Sequence, residues 1–534
     1  MRRRPFRSVV RAVSPLVLTA ILGQACATTP RTTPSPYVVE DKNLATLVTD
    51  LGAGRVTSER LTVQYLARIQ ALDRSGPALG AVLALDPHAA ESARQLDAER
   101  ARGRIRGPLH GIPILLKDNI ETTGPLATTA GSLALAENIT GRDASIVARL
   151  RAAGAVILGK TNLSEWANFR STKSTSGWSA VGGLTKNPYL LTHNACGSSS
   201  GSAVAIAASF AAVAIGTETD GSVTCPAAIN GLVGLKPTVG LVSRAGIVPI
   251  SSAQDTAGPM TRTVADAAVL LTVMAGSDAG DPSTKEADTR RTNYASALDP
   301  RALQGRRLGV MRFSMGYMPA LDALFDATLT ELRTAGAEIV DIERFDGLDE
   351  IRERELTVLL TDFRDEINAY LERTPAAVRT RSLRDLIVFN HEQAPREMPH
   401  FRQELFEESE KTAGYDKTAY RALRDGNRRA AGTAGIDAML KTRGLDALIA
   451  PTTGPAWPTD LANGDRYEGS ATTLPAIAGY PHLTVPMGEL DGLPVGLSFI
   501  GPAWSEASLL AMGFAYEQRS HARRPPALPP VEPR

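Results

Sequence analysis

The sequence has little cysteine, few aromatic residues and almost no net charge. Of its 534 residues only three are cysteines, 5% are aromatic, and the formal net charge is +1. A chain so close to neutrality lacks the basic surface that is typical of nucleic-acid-binding proteins. The composition therefore predicts no nucleic-acid partner and favours a small or weakly charged one.

Motifs for two kinds of chemistry are also missing. The chain has no histidine and cysteine grouping with zinc spacing and no H-E-x-x-H motif, so no metal is implied. No serine has a lysine three residues later, which excludes the S-x-x-K site of penicillin-binding proteins.

The N-terminus lacks an apolar run long enough to span a bilayer. Arginines within residues 2–11 precede the mostly apolar residues 12–22, a pattern typical of a signal peptide. We predict a signal peptide at residues 1–26, export to the periplasm and a Thr/Pro-rich tether at residues 27–40. Cys26 resembles the lipidated first residue of an outer-membrane-anchored lipoprotein. Ordinary cleavage with secretion and an uncleaved anchor are the alternatives.

Two cysteines remain beyond Cys26. Cys196 and Cys225 could pair in an oxidising compartment, but their positions in the sequence give no measure of their distance. Cysteine is otherwise a small residue that buries readily. We predict that Cys196 and Cys225 are buried and unpaired.

Strand and helix patterns alternate along the chain. Residues 111–116 and 155–158 are short apolar runs that end in polar clusters, and residues 43–50 and 58–73 carry apolar residues at helical spacing. Strand patterns return at residues 447–450, 483–485 and 495–500.

The intervening region, from residue 308 to 432, is dense in charge and predicts a layer of amphipathic helices. We predict one large α/β domain at residues 41–523, with a mixed sheet covered by helices on both faces and shared by the first and last thirds. A Pro-rich tail at residues 524–534 follows.

Serines are concentrated in two glycine-rich stretches, CGSSSGSA at residues 196–203 and GTETDGSVTCP at residues 216–226. The first satisfies G-x-S-x-G with Ser199 at its centre, which is typical of a nucleophile elbow with a histidine base. Residues 189–196 form a poor strand, however, and such a pattern arises easily by chance in a serine-rich stretch. The candidate bases of this alternative are His391, His400, His482 and His521.

A second alternative uses Ser222 with a lysine base. A lysine can accept a proton only when it is neutral, and burial lowers its pKa because it disfavours the charged form. Lys117 follows the apolar run of residues 111–116 and is placed for such burial, although a carboxylate of Asp118 facing the amine would oppose the shift. Ser198 could relay the proton between Ser222 and Lys117.

The glycine before Ser222 indicates a second role for this stretch. Glycine permits a tight turn whose successive N–H groups converge, and such groups stabilise an oxyanion. We predict an oxyanion hole made by the backbone of Thr219, Asp220, Gly221 and Ser222. The Asp220 carboxylate is then expected to face a substrate amine or backbone donors instead.

Six blocks in succession resemble the amidase signature family across residues 44–518, roughly. They are GIPILLKDNI, GKTNLSEWAN, CGSSSGSAVAIAA, AIGTETDGSVTCPAAINGLVGLKPTVG, QDTAGPMTRTVADAA and GLPVGLSFIG. The resemblance implies the amidase signature fold, amide hydrolysis without a cofactor, and an acyl-enzyme. It also implies that Lys117 is the base, that Ser222 is the nucleophile, and that Ser198, held by a cis peptide bond, bridges them.

Within that family the chain looks like the bacterial peptide amidase branch, which removes the C-terminal amide of peptides. The residues that carry this likeness include Ser176-Gly177-Trp178-Ser179 and PAWPTDLANGD. Candidate substrate-binding residues are Trp166, Ser176, Trp178, Trp457 and Tyr480, although aromatic residues are as often part of a core. Hydrolysis of other aryl or aliphatic amides, the glutaminase subunit of a tRNA-dependent amidotransferase, and an exported non-catalytic binding lipoprotein remain alternatives.

Overall fold

The computed structural model describes residues 37–531 and the short stretches 1–2, 5 and 8–12. The segment that carries the predicted cleavage site, Cys26 and most of the predicted tether therefore lie outside the described residues. A compact unit begins at Tyr37 and continues to the C-terminus. Within the described ranges, no helix is both long and apolar enough to cross a membrane.

A mixed sheet of eleven strands forms the centre of this unit. The strands of the described residues, including a separate two-stranded pair (β4 and β5), are β1 Val82–Leu85, β2 Pro113–Lys117, β3 Val156–Thr161, β4 Trp178–Ser179, β5 Gly183–Leu184, β6 Val213–Glu218, β7 Val233–Lys236, β8 Thr256–Thr261, β9 Arg307–Met311, β10 Glu338–Ile342, β11 Ala447–Pro451, β12 His482–Leu490 and β13 Leu493–Ile500. Their order in the sheet is β1-β3-β2-β6-β8-β7-β12-β13-β11-β9-β10. β2 is parallel to β3 and β6, and β9 is parallel to β10 and β11.

Helices surround the sheet and form a further layer in the middle of the chain. They are α1 Leu44–Gly52, α2 Ser58–Arg68, α3 Ala89–Ala101, α4 Ser145–Ala152, α5 Ser200–Ala207, α6 Thr224–Ile229, α7 Val264–Met274, α8 Ala287–Arg290, α9 Pro319–Thr334, α10 Leu348–Glu372, α11 Leu383–Glu392, α12 Ala394–Glu397, α13 Glu404–Lys411, α14 Lys417–Ala431, α15 Asp437–Arg443, α16 Thr473–Ala478 and α17 Glu506–Ser520. The predicted single α/β domain with a mixed sheet is confirmed.

The middle region is more than a helical layer. Residues 307–311 and 338–342 add β9 and β10 to one edge of the sheet, which the prediction of helices alone for this region missed. Four of the five residues of β10 are exposed or half-buried, so the strand has no continuous buried face. An edge strand of this kind gives a weak hydrophobic pattern, so the sequence does not reveal it.

The predicted C-terminal tail does not stand apart from the domain. Pro526 is buried, and Leu528 and Val531 pack against the main core. Tyr189 also donates a hydrogen bond of 2.6 Å from its hydroxyl to the carbonyl of Arg524. The described part of residues 524–531 therefore lies on the compact unit.

Strand pairing explains where the polar clusters meet. Leu116 of β2 lies opposite Ile215 of β6 and Lys160 of β3, and these strands are parallel. Residues that follow β2, β3 and β6 consequently reach the same edge of the sheet. Lys117, at the end of β2, is thereby brought beside the residues that lead from β6 to Ser222.

Candidate active site

Lys117 lies at the carboxyl end of β2 with its side chain completely buried. Its Nζ is 2.7 Å from the Oγ of Ser198, 2.9 Å from the Oγ1 of Thr217 and 3.2 Å from the carbonyl oxygen of Thr217. All three neighbours are neutral oxygens. The amine is thus hydrogen bonded without a directly paired carboxylate.

Burial lowers the pKa of Lys117 to about 7, while the more distant carboxylates of Asp255 and Glu218 oppose that shift. Asp118 does not face this amine. Its carboxylate contacts the Nζ of Lys160 at 3.3 Å and accepts hydrogen bonds from Thr129. Near neutral pH a substantial share of Lys117 is therefore neutral and able to accept a proton.

Ser198 and Ser222 belong to two stretches that lie side by side. The peptide bond between Gly197 and Ser198 is cis, as the resemblance implied. The backbone N–H of Ser199 donates to the carbonyl of Ser222 at 3.2 Å, which joins the two stretches. Among the hydrogen bonds of the described residues, none joins the hydroxyls of Ser198 and Ser222.

Ser199 is placed differently from a nucleophile. Its hydroxyl is buried, donates to the carbonyl of Thr217 at 3.1 Å and accepts from the N–H of Thr217 at 3.2 Å. His482, one of the candidate bases, instead contacts Ser498. The geometry around Ser199 therefore gives no support to a nucleophile elbow.

The backbone from Thr219 to Ser222 leaves four N–H groups free. None of them has a hydrogen-bond acceptor within residues 37–531 or the short N-terminal stretches that are described. Gly221 adopts a φ of +75°, in the left-handed region that glycine tolerates best. Free N–H groups beside a serine are the donors that an oxyanion hole requires.

Glu218 and Asp255 fix this turn from either side. The Glu218 carboxylate accepts from the N–H groups of Val223 and Thr224 at 2.8 and 2.9 Å, at the start of α6. Asp255 accepts from the hydroxyl of Thr219 at 2.6 Å. These two acids, which the sequence analysis did not single out, shape the turn while its own N–H groups stay available.

The Asp220 carboxylate has one hydrogen-bonded oxygen, while its buried Oδ1 has no hydrogen-bond partner among the described residues. The Oδ2 accepts from the hydroxyl of Thr473 at 3.1 Å, and burial raises the pKa of the Asp220 carboxyl to about 6. The donor to this oxygen is a hydroxyl of the first residue of α16 and not a backbone N–H, and the expectation that Asp220 faces a substrate amine stays a prediction.

A cleft of about 290 Å³ is lined by Ser222, Asp220 and Gly221. Two of the candidate substrate-binding residues, Ser176 and Trp457, also line it. Residues that the sequence did not reveal complete the walls, chiefly Phe169, Ile250, Leu359, Asp465, Tyr467 and Thr472. A larger cavity of about 710 Å³ shares Thr219 with this cleft but is not lined by Ser222.

Three candidate residues lie elsewhere. Trp166 packs edge-on against Phe406 in the core, and Trp178 packs edge-on against Phe401. Tyr480 donates a hydrogen bond of 2.7 Å to Asp437. The structure does not bring Trp166, Trp178 or Tyr480 to the cleft, since their rings are held by these contacts instead.

Asp465 organises the cleft wall. Its carboxylate accepts from the N–H of Ser176 at 3.1 Å, from Asn194 at 3.2 Å and from the indole of Trp457 at 3.3 Å. Ser176 and Trp457 are thus positioned by one half-buried acid in the stretch PAWPTDLANGD. That stretch was part of the resemblance, but nothing in its composition indicates which residue orients the others.

Cys196 and Cys225 form a disulfide, with Cα atoms 6.1 Å apart. The prediction of two unpaired cysteines was wrong. The two stretches that carry Ser198 and Ser222 come together in the fold, which the separation of 29 residues could not reveal. Both cysteines line the cleft, so a covalent bond connects the two catalytic candidates' stretches.

The described residues contain no group of three or more histidine, cysteine or acidic side chains that could hold a metal ion. That no metal or cofactor is needed stays a prediction. Its basis is the chemistry of the cleft residues, which are hydroxyls, backbone N–H groups and one amine.

Comparisons with known proteins agree with this geometry. A sequence model of the Amidase family matches residues 60–510. A probable amidase of Arabidopsis thaliana is 39% identical, and the match covers 92% of each chain. The X-ray structure of native peptide amidase from Stenotrophomonas maltophilia is 53% identical with a TM-score of 0.87, covering 92% of this chain and 99% of that one. An amidase family protein from Bacillus anthracis is 37% identical with a TM-score of 0.83, covering 92% and 93%.

The family match spans most of the chain, and the similar structures share the mixed sheet. The resemblance read from the six sequence blocks is confirmed, and with it an amidase activity on C–N bonds. The chain belongs to the amidase family of hydrolases.

Proposed function

We propose that this amidase hydrolyses the C-terminal carboxamide of peptides through a Ser198, Ser222 and Lys117 triad. The observation that carries the proposal is the buried Lys117 amine, 2.7 Å from the Ser198 hydroxyl and free of a directly paired carboxylate. The similarity to a peptide amidase supports the substrate class. A second similar crystal structure, 53% identical, is of the peptide amidase PAM in complex with the competitive inhibitor chymostatin.

In the first half of the reaction the Ser222 hydroxyl oxygen bonds to the carboxamide carbon. Its proton passes through the Ser198 hydroxyl to neutral Lys117, and the carbonyl electrons move onto the oxygen. The free N–H groups between Thr219 and Ser222 stabilise that negative oxygen. The C–N bond then breaks as the proton returns from Lys117 to the nitrogen, and ammonia leaves.

Water completes the reaction. Lys117, neutral again, accepts a proton from the water through Ser198 while the water oxygen bonds to the acyl carbon. The bond to Ser222 then breaks as the proton returns from Lys117 through Ser198 to the Ser222 oxygen, which releases the carboxylic acid and restores both the serine and the neutral amine. A cleft of about 290 Å³ with Trp457 and Tyr467 on its wall accommodates a terminal residue of a peptide rather than a folded chain.

The test is ammonia release from C-terminally amidated peptides and from simple carboxamides, with Ser222→Ala, Lys117→Ala and Ser199→Ala beside the wild type. We expect cleavage of peptide amides, loss of about 10³-fold or more in Ser222→Ala and Lys117→Ala, and substantial activity in Ser199→Ala. Activity on simple amides alone would leave the triad standing and refute the substrate class. An inactive Ser199→Ala with an active Lys117→Ala would refute the triad.

A further inference from the structure

Thr217 supplies two of the three hydrogen-bond partners of the Lys117 amine. Its hydroxyl oxygen lies 2.9 Å from Nζ and its carbonyl oxygen 3.2 Å from Nζ. The third partner is the Ser198 hydroxyl at 2.7 Å. Thr217 is nearly buried at 7% exposure, and Lys117 has no exposure at all, so solvent does not replace either contact.

This set of partners matches the charged form of the lysine. A protonated lysine has three N–H donors and no acceptor. Three oxygens surround Nζ, and each can accept one of these N–H groups. A buried ammonium would otherwise leave a donor unsatisfied, at a cost that is larger for a charged group than for a neutral one.

The same set restricts the neutral form. A neutral amine has two N–H groups and one lone pair. The Thr217 carbonyl can only accept, so it takes one N–H of the amine. Of the Thr217 and Ser198 hydroxyls, one then accepts the second N–H and the other donates to the lone pair. Lys117 can act as a base through Ser198 only when its second N–H points to the Thr217 hydroxyl.

Asn119 holds the Thr217 hydroxyl in that accepting role. The Nδ2 of Asn119 donates to the Oγ1 of Thr217 at 2.9 Å. When Asn119 and Lys117 both donate, the two lone pairs of the hydroxyl are occupied and its own proton points away from the amine. The lone pair of the amine is then free for the proton of Ser198.

We propose that Thr217 is a positioning residue for catalysis, which aims the lone pair of neutral Lys117 at Ser198 and completes the acceptor set of the ammonium after proton transfer. The inference rests on the proposed triad and names a residue that the triad does not include. It concerns the side chain of Thr217, since the carbonyl survives every substitution.

Charged groups near the amine are few and are fixed in place. Glu218, at the end of β6, is engaged by the N–H groups of Val223 and Thr224. Asp255 is engaged by the Thr219 hydroxyl, and Asp118 by Lys160 of β3. None of these acids lies within salt-bridge distance of Lys117 among the described residues, so Thr217 governs its immediate surroundings.

The experiment compares Thr217→Val, Thr217→Ser and Ser199→Ala with the wild type in kcat/KM against pH for one peptide amide. Valine keeps the shape of threonine and removes the hydroxyl, which disfavours the ammonium. We expect the acid limb of the profile to move to lower pH by about one unit and the plateau to fall by about tenfold or more. Thr217→Ser restores the hydroxyl and should restore both.

Ser199→Ala is the matched control. It also removes a buried hydroxyl with two hydrogen bonds to Thr217, but to its backbone, so the acid limb should not move. An unshifted limb in Thr217→Val, or a Ser199→Ala limb that shifts equally, would overturn the inference. The wild-type cleavage and the loss in Lys117→Ala test the proposed function separately.

A second readout covers poor folding of Thr217→Val. The rate constant for labelling of Ser222 by a fluorophosphonate probe depends on activation of the hydroxyl. The amount of folded protein changes only the final extent of labelling. We expect a smaller labelling rate constant in Thr217→Val, and we expect the acid limb of its pH profile to be shifted to lower pH as for kcat/KM. A rate constant equal to that of the wild type at every pH would contradict the inference.

Discussion

Two buried lysines lie on neighbouring parallel strands and have opposite surroundings. Lys117 ends β2 and Lys160 is near the end of β3, and neither side chain is exposed. Lys117 contacts neutral oxygens alone, whereas Lys160 contacts the carboxylate of Asp118 at 3.3 Å, the carbonyl of Ile120 and the hydroxyl of Thr128 at 3.0 Å. Burial thus creates a base only where no carboxylate comes with it.

Asp118 makes this difference although it is next to Lys117 in the sequence. Asp118 lies in the turn that follows β2, and its carboxylate contacts Lys160 of β3 and the Thr129 hydroxyl rather than the Lys117 amine. Burial lowers the pKa of Lys160 too, but Asp118 opposes that shift at contact distance. A pair of this kind is structural, because removing one partner leaves a buried charge.

The largest expected effect comes from exchanging the two lysines in turn for methionine, which keeps most of the side-chain volume. Lys117→Met should lower kcat/KM for a peptide amide by about 10³-fold or more, because no base remains for Ser222. Lys160→Met should keep kcat/KM of its folded fraction within about tenfold. Equal losses in both variants would contradict the division of roles.

The next effect is on stability, where we expect Lys160→Met to lose more than Lys117→Met, the reverse of their order in activity. Lys160→Met leaves Asp118 buried without its cation and should lower the free energy of unfolding by about 3–5 kcal/mol. Lys117→Met removes an amine that is already partly neutral and should cost less. Urea denaturation of both variants measures this, and the double variant Asp118→Asn with Lys160→Met should recover part of the loss.

The disulfide between Cys196 and Cys225 also distinguishes the two lysines. We expect it to hold Ser198, the partner of Lys117, but not Asp118, the partner of Lys160. Ser198 lies two residues after Cys196, and Ser222 three residues before Cys225, whereas Asp118 follows directly from β2. Reduction by a dithiol transfers two electrons to the disulfide and leaves two thiols. We expect a loss of stability of about 2–4 kcal/mol and a lower kcat, with Asp118 and Lys160 still paired.

The matched control for this prediction is Cys196→Ala with Cys225→Ala, which should show the lower kcat with or without the dithiol. Titration of free thiols reports whether reduction took place. Wild-type protein with two free thiols and an unchanged kcat would show that the bridge does not position the serines.

The effect that is smallest at each step of the measurement is the slope of stability with pH. The pKa of Lys117 is lowered to about 7, below the value near 10.4 of an unfolded lysine, so the unfolded state binds more protons between these values. Stability should therefore rise with pH from about 7 to about 10, by up to about 1.4 kcal/mol per pH unit for this one group. Chemical denaturation of Lys117→Met over that window should lack this contribution.

The sequence predicts the local surroundings of these side chains, such as burial or a turn, better than their contacts with distant segments. The apolar run before Lys117 revealed its burial, and the glycine before Ser222 indicated the turn with free N–H groups. The direction of Asp118, the pairing of Cys196 with Cys225 and the contacts of Thr217 depend on distances across the fold. No pattern within one segment contains those distances.

The aromatic candidates illustrate the same limit. Trp457 reaches the cleft and Trp166 does not, although both are surrounded by residues that belong to the family blocks or the peptide amidase likeness. What differs is a contact in three dimensions, the hydrogen bond from Trp457 to Asp465 at 3.3 Å. The sequence shows which residues are aromatic, but it does not show which of them line a cleft and which pack in the core.

The strand order also has a consequence for synthesis of the protein. β12 lies between β7 and β13 in the sheet, so strands near the C-terminus separate the early strands from β9, β10 and β11. A nascent chain that ends before residue 482 already contains Lys117, Ser198 and Ser222, yet its sheet is in two halves. Pairings of such long sequence separation form late. The enzyme is therefore expected to gain its activity only after the ribosome has released nearly the whole chain.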